Sequence, residues 1–298
     1  MYDAIAANKR KSWILVIAFM AFIGLLGYFW GQYSGDTFGA LSVAGVIAIV
    51  TALVSYFSGD KIALSLAGAK QIEKREANPY VWNMVENLCI AKGLPMPKVY
   101  LIPEQTINAF AAGRDPEHSS IALTAGAVAK LANEELEGVI AHELSHVSNY
   151  DIRFATIVIV LLGTLSILSD IFLRSTSFVG GGRRSSSRGG NAGGVLILIG
   201  LVLAILSPLL GKIIQLAISR QREFLADSSG ALLTRYPEGL ARALEKIAAD
   251  GLPMQRASEA TAHLYLTSPF GAKPNFLGRL FMTHPPLAER VAALRKIT

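Results

Sequence analysis

The stretch Trp13 to Trp30, WILVIAFMAFIGLLGYFW, carries no charged residue. Coiled as a helix at about 1.5 Å per residue, it just crosses the ~30 Å hydrocarbon core of a bilayer. Inside that core every backbone polar group must be satisfied within the segment, so a helix is the form expected. Tryptophans at both ends suit the two interfaces. Lys9, Arg10 and Lys11 precede the run. The run is longer than the ~7–15 apolar residues of a secretory signal and shows no small-x-small cleavage site, so a retained span is expected. A link, GQYSGD, leads to a second apolar run from Thr37 to Phe57. Two runs so joined form a hairpin. The basic N-terminus then shares a side with Lys61, Lys70, Lys74 and Arg75, which the positive-inside rule makes the cytoplasm.

Two further apolar runs, Phe154 to Leu173 and Val195 to Leu210, flank a Gly/Ser-rich linker at 174–194. That linker holds Arg174, Arg183, Arg184 and Arg188 without an acid. If both runs span, it lies outside, against the positive-inside expectation. Either the runs form a shallow hairpin or the first two spans dominate the orientation. Both are long enough to cross, and two spans are expected. The chain thus divides into a membrane hairpin (1–58), a first polar part (59–152), a second pair of apolar helices with their linker (153–211) and a second polar part (212–298). Such a chain is a multi-pass helical membrane protein. The fold class expected is mainly α with a small β-sheet.

In the first polar part, Asn78 caps a helix that has Pro79 at its first position and stops at Gly93. Lys98–Pro103, Ile107–Ala112 and Ser119–Thr124 alternate as short strands. Asn133 is expected to cap the next helix, with Glu134 and Glu135 in its first turn. Only 17% of residues are charged, against about 25% in soluble proteins. The net charge of +6 is spread without a basic patch interleaved with aromatics, so nucleic acid is not an expected partner. The single cysteine, Cys89, excludes an internal disulfide and a cysteine metal cluster, and reads as a core thiol.

Amid these apolar runs stands GVIAHELSHVSNYD, Gly138 to Asp151. On a helix, His142 and His146 share one face and can hold one metal ion. Glu143 sits one position round, close enough to take a proton from a nearby water without being a ligand. Leu136, Ile140, Leu144 and Val147 form a separate core-facing stripe. A catalytic zinc takes three protein ligands and keeps one position open, so a downstream His, Asp or Glu is required. RQREFLADSSG offers Glu223 and Asp227 at i and i+4. A carboxylate can be the ligand, and another can orient a ligand histidine through its free N–H.

GVIAHELSHVSNYD, then EFLAD, then THPPLAERVAAL in this order resemble the HtpX family of membrane zinc metalloproteases, which are related to the CAAX prenyl endoproteases. The resemblance covers essentially the whole chain. It implies a gluzincin-like protease domain, one zinc ion on His142, His146 and Glu223, Glu143 as the base, and Asp227 as an orienting group. It further implies that Asn108, Ala109 and Phe110, with Ala111, lie on an edge strand that pairs with an extended substrate. His284 and Arg290 resemble residues that contact the substrate carbonyl. Asp151 matches a family position suited to a structural hydrogen bond. His118 and His263 have no such counterpart and are expected at the surface or in packing.

By this resemblance the chain is an endopeptidase of the cell (inner) membrane. It acts from the cytoplasmic side on misfolded or damaged membrane proteins, in quality control and stress response, beside an ATP-dependent membrane protease. No phosphate-binding loop occurs in the sequence, so energy-driven extraction falls to that partner. A processing protease of the CAAX prenyl type would use the same chemistry, but generally with more spans. Cleavage within the bilayer is disfavoured by Glu134, Glu135 and Glu137 beside the motif, since charges in lipid are costly. A non-catalytic membrane scaffold would need Glu143 to be dispensable.

Overall fold

The computed structural model describes residues 2–180, 202, 220–256, 261–271 and 285–297. The charge-free run lies within α1 (Tyr2–Ser34) and the second within α2 (Thr37–Leu66). Between them Gly35 takes a left-handed φ of 81°, and the Asp36 carboxylate accepts the Gly39 N–H at 2.8 Å to start α2. The third long helix, α6 (Asp151–Gly180), packs against both. Small residues spaced three or four apart on α2, Ala44, Ala48, Thr51, Ser55, Gly59 and Ala63, are buried and let these backbones approach. Ile17, Val46 and Leu53 on the outer faces stay more than half exposed, as side chains that meet lipid do. Among the described residues, three helices are long and apolar enough to cross a membrane: Ile5–Ser34, Thr37–Leu66 and Asp151–Ile171. Apart from Val202, the run from Val195 to Leu210 lies outside the described residues, as does most of the arginine-bearing linker.

The expected boundary at residue 58 falls inside α2, which runs on to carry Ala63 and Leu64 under the sheet. There they pack with Phe110, Ala122 and Ile159, so one rigid rod joins membrane and polar parts. The sheet has order β1-β2-β4-β3, with β1 (Lys70–Gln71), β2 (Lys98–Ile102), β3 (Ala109–Asp115) and β4 (His118–Thr124). β2 and β4 are parallel, and the other pairs antiparallel. Three strands match the alternating segments read from sequence. The fourth, β1, is two exposed residues and leaves no periodic trace.

Helix α3 (Pro79–Lys92) begins and ends as its sequence dictates. Asn78 accepts the Val81 N–H at 3.1 Å, and Gly93 takes φ 69°. Cys89 is buried against Val81 and Val85 in the main core, and burial pushes its thiol up to about 11. Short α4 (Ala125–Lys130) leads to α5 (Asn133–Ser148), the helix of the histidines. Its cap differs from expectation: Ala132 holds the capping position and Asn133 is already helical. Glu135 reaches back instead and accepts the Ala132 N–H at 2.7 Å, braced by Lys246 Nζ at 2.7 Å. One half of a capping box therefore does the work expected of Asn133.

Among the described residues, three further helices close the polar part: α7 (Arg220–Thr234), α8 (Pro237–Asp250) and α9 (Leu287–Leu294). α5 lies between the sheet and α7 with α8. A Cβ at Gly138 of α5 would stand 2.8 Å from the backbone nitrogen of Leu240 on α8. Gly138→Ala must therefore push these helices apart and should destabilise the protein by about 1–3 kcal/mol, the usual overpacking cost. The chemical-denaturation midpoint of the variant measures it; an unchanged midpoint would show that the interface yields freely.

Candidate metal centre

α5 turns His142, Glu143 and His146 inward, and α7 brings Glu223 and Asp227 to meet them. The approach is close because α7 has Gly230 where the helices touch. A Cβ there would stand 3.0 Å from the His142 backbone nitrogen. The sequence EFLADSSG thus pairs the two carboxylates with the small residue that lets them reach α5.

The ligand atoms of His142, His146 and Glu223 all lie within 4.8 Å of one another. The two Nε2 atoms are 3.1 Å apart. Glu223 Oε1 is 3.6 Å from His146 Nε2, and Oε2 is 3.8 Å from His142 Nε2. Donors set tetrahedrally at about 2.0–2.1 Å from a zinc ion stand about 3.3 Å apart, within this spread. The hydrogen bonds on the far side of each ring fix its tautomer. His142 Nδ1 lies 2.9 Å from Asp227 Oδ1, and His146 Nδ1 lies 3.0 Å from Asp151 Oδ2. With each Nδ1 donating to a carboxylate, each Nε2 is the nitrogen left to bind a metal ion once its ring is neutral. Two ring nitrogens and a carboxylate then converge on one point. Such a set of acceptors suits a cation.

The charge balance also draws a cation to this point: in the metal-free fold His146 holds a proton near neutral pH, which a metal ion would displace. Burial lowers the affinity of His146 for a proton, but the Asp151 hydrogen bond and the charges of Glu223, Asp151 and Glu143 outweigh it and bring its pKa up to about 9. His142 is taken down to about 4 by burial, against the pull of Asp227. Burial raises Glu143 to about 7, opposed by the charge of His146 and by a hydrogen bond from the Ala111 backbone. A carboxylate there can both take and return a proton near neutral pH.

Asp227 is held well below the usual range, at about 2. Its burial, which would raise it, is overcome by the charge of Arg290 and the hydrogen bond from it. Arg290 donates to Asp227 twice, Nε to Oδ2 at 2.8 Å and Nη2 to Oδ1 at 2.7 Å. Its Nη1 donates to the Leu266 carbonyl at 3.3 Å and lies 3.5 Å from Glu223 Oε2. The guanidinium is 0% exposed. The sequence suggests Arg290 as a contact to the substrate carbonyl. The structure instead directs its donors at the two carboxylates and the chain's own backbone. His284 lies outside the described residues.

β3 is the edge strand expected from sequence. Its Asn108–Phe110 end is not open, however, because the chain's own segment around Leu266 covers it. Leu266 N–H donates to the Ala109 carbonyl at 2.9 Å, and Asn108 Nδ2 donates to the Thr267 carbonyl at 3.1 Å. Phe110 is buried edge-on against Tyr265, ring centres 5.2 Å apart. The next residue, Ala111, lines a small cleft with Glu143, His146, Glu223 and His263. His263 therefore belongs to this cleft, where its Nε2 stands 3.0 Å from the Ala155 carbonyl oxygen. His118 is an exposed partner of Asp115, as expected. Asp151 goes beyond the structural bond expected of it, since it takes the N–H of His146. Its only local signal is its position five residues past that histidine.

Residues 75–298 match the sequence profile of the family described as Peptidase family M48. The chain is 41% identical over 298 residues to the protease HtpX homolog of Caldanaerobacter subterraneus subsp. tengcongensis, covering 100% of this chain and 98% of that protein. It is 41% identical over 297 residues to the protease HtpX homolog of Tropheryma whipplei, covering 100% and 98%. The crystal structure of S. mikatae Ste24p superposes with a TM-score of 0.51 at 21% identity, covering 99% of this chain and 67% of that one. The latter is a likeness of fold.

Proposed function

The chain belongs to peptidase family M48, with the HtpX proteases as its full-length relatives, and on that premise we propose that this membrane protease is a zinc-dependent endopeptidase. It attacks extended segments of misfolded or damaged membrane proteins from the cytoplasmic side. The observation that carries the reading is the convergence of two imidazole Nε2 atoms and the Glu223 carboxylate on one point. His142, His146 and Glu223 hold the ion, and the two-histidine, one-carboxylate set suits zinc. When bound, zinc supplies Lewis acidity, polarising a carbonyl and acidifying water.

The chain's own groups do the rest. Glu143 takes the proton of the attacking water and passes it to the leaving amine, the role its pKa near neutrality suits. Asp227 and Asp151 hold the ligand histidines, and Arg290 holds Asp227. Arg290 is thus a positioning residue in this account. His284 is assigned, by resemblance, the donor to the substrate carbonyl oxygen. A substrate strand lies along the β3 edge at Ala111, beside Glu143, where backbone pairing gives loose sequence preference. Asn108, Ala109 and Phe110 order that edge. The positive-inside arrangement of Lys9–Lys11 and Lys61 supports the cytoplasmic side. Extraction of substrates from the bilayer is left to an ATP-dependent membrane protease as partner.

The test uses the detergent-purified protein and an unfolded soluble test protein. Cleavage should stop when a chelator removes the metal and return with about one zinc per chain. Cleavage that persists without metal would overturn the reading.

A further inference from the structure

Asn8 is a polar side chain on α1, one turn before the charge-free run, yet it is only 3% exposed. Its amide spans the junction between the metal-bearing helix and the membrane. Nδ2 donates to Asp151 Oδ1 at 2.7 Å and to the Asn149 carbonyl at 3.0 Å. Arg222, the neighbour of Glu223, donates through Nη1 to the same Asp151 Oδ1 at 3.2 Å and reaches Asn8 Oδ1 at 3.4 Å. The other oxygen of Asp151, Oδ2, is left for His146 Nδ1 at 3.0 Å. The carboxylate is thus divided, one oxygen clamped by α1 and α7, the other on the histidine.

Asp151 has reason to need clamping. It follows a turn in which Tyr150 takes a left-handed φ of 60°, a conformation costing about 1–2 kcal/mol for a residue with a side chain. The neighbouring residue Lys9 lays its Nζ 4.1 Å above the Tyr150 ring, on the same turn. A neutral amide suits the clamp, because a second carboxylate at 2.7 Å from Asp151 would repel it.

We propose that Asn8 is a positioning residue of the metal centre: it fixes Asp151, which in turn aims His146 Nε2 at the ion. The first membrane helix is thereby part of the metal site rather than an anchor alone. This rests on the proposed metal role of His142, His146 and Glu223.

The experiment uses the full chain in detergent, stripped of metal, with zinc titrated against a competing chelator. The melting temperature of each metal-free protein is measured beside it. Loss of a group that orients a ligand weakens metal affinity about 10–100-fold. Asn8→Ala should therefore bind zinc about tenfold more weakly or worse, by more than any change in metal-free melting implies. Asn8→Asp, nearly the same shape, should lose at least as much through like charge. Arg10→Ala, an exposed neighbour, should bind as the wild type does. Asn8 variants with wild-type zinc affinity would overturn the proposal, even if their melting falls, because a mere helix staple predicts that result. So would an equal loss in Arg10→Ala. His146→Ala separates the two readings. If the wild type binds zinc no better than His146→Ala, the metal assignment fails and takes this inference with it. If only His146→Ala loses zinc, the metal assignment stands and the role of Asn8 falls.

Discussion

Glu143→Gln should abolish detectable proteolysis while the protein keeps its metal. The side chain keeps its shape and its place beside Ala111, but it cannot take a proton. General acid–base catalysis contributes about 10²–10⁴-fold, and here one group serves as both base and acid, so the upper part of that range is expected. Glu143 is not among the three side chains that converge on the ion, so zinc content should stay near that of the wild type. An amide also removes a buried carboxylate that burial already disfavours, so stability should hold or rise. Comparing turnover of an unfolded test protein, zinc content and melting temperature in the two proteins checks all three. Residual activity within tenfold of wild type would remove Glu143 from the chemistry and bring another base forward.

The second large effect is expected at Asp227. Asp227→Asn leaves the guanidinium of Arg290, 0% exposed, without its main counter-charge. Removing one partner of a buried ion pair destabilises by about 3–5 kcal/mol. The same change weakens the bond that fixes His142, so zinc affinity should fall about 10–100-fold. Asp227→Asn combined with Arg290→Met removes the stranded charge as well. Stability should then recover in part, whereas zinc affinity should not. A double mutant that regains both would show that Asp227 acts only through Arg290. The pH dependence follows from the depressed pKa of about 2 in the metal-free fold. The unfolded carboxyl titrates at about 3.9, so the contribution of Asp227 is complete above that pH. It is lost as pH falls towards 2, and the stability gap between wild type and Asp227→Asn should close across that window. Denaturation of the metal-free proteins at several pH values checks the sign.

The parts of this molecule that are legible in sequence are those written in one local segment. The absence of charge between Trp13 and Trp30 specifies a membrane helix through the cost of burying charge in lipid. HELSH specifies a ligand pair through the helical repeat, and EFLAD does the same for its carboxylates. Asn78, Pro79 and Gly93 mark a helix because each acts on its own backbone. What sequence conceals depends on chain segments meeting in space. Asn8 and Asp151 are 143 residues apart, and nothing near Asn8 distinguishes it from a solvated asparagine before a basic cluster. The covering of β3 by Leu266 and Tyr265 is of the same kind. Arg290 is marked in sequence only by its resemblance to a substrate contact, and its tie to Asp227 appears only when the two helices meet. The cap of α5 shows a local ambiguity: Asn133 and Glu135 both offer capping chemistry, and the Lys246 brace on Glu135 comes from another helix.

The most direct test is the zinc content of four proteins purified alike: wild type, Glu143→Gln, His146→Ala and Glu223→Ala. The account predicts about one zinc per chain in the first two, and strongly reduced zinc in the last two, as expected when one of three protein ligands is removed. Full zinc retention in Glu223→Ala, or no zinc in the wild type, would contradict it.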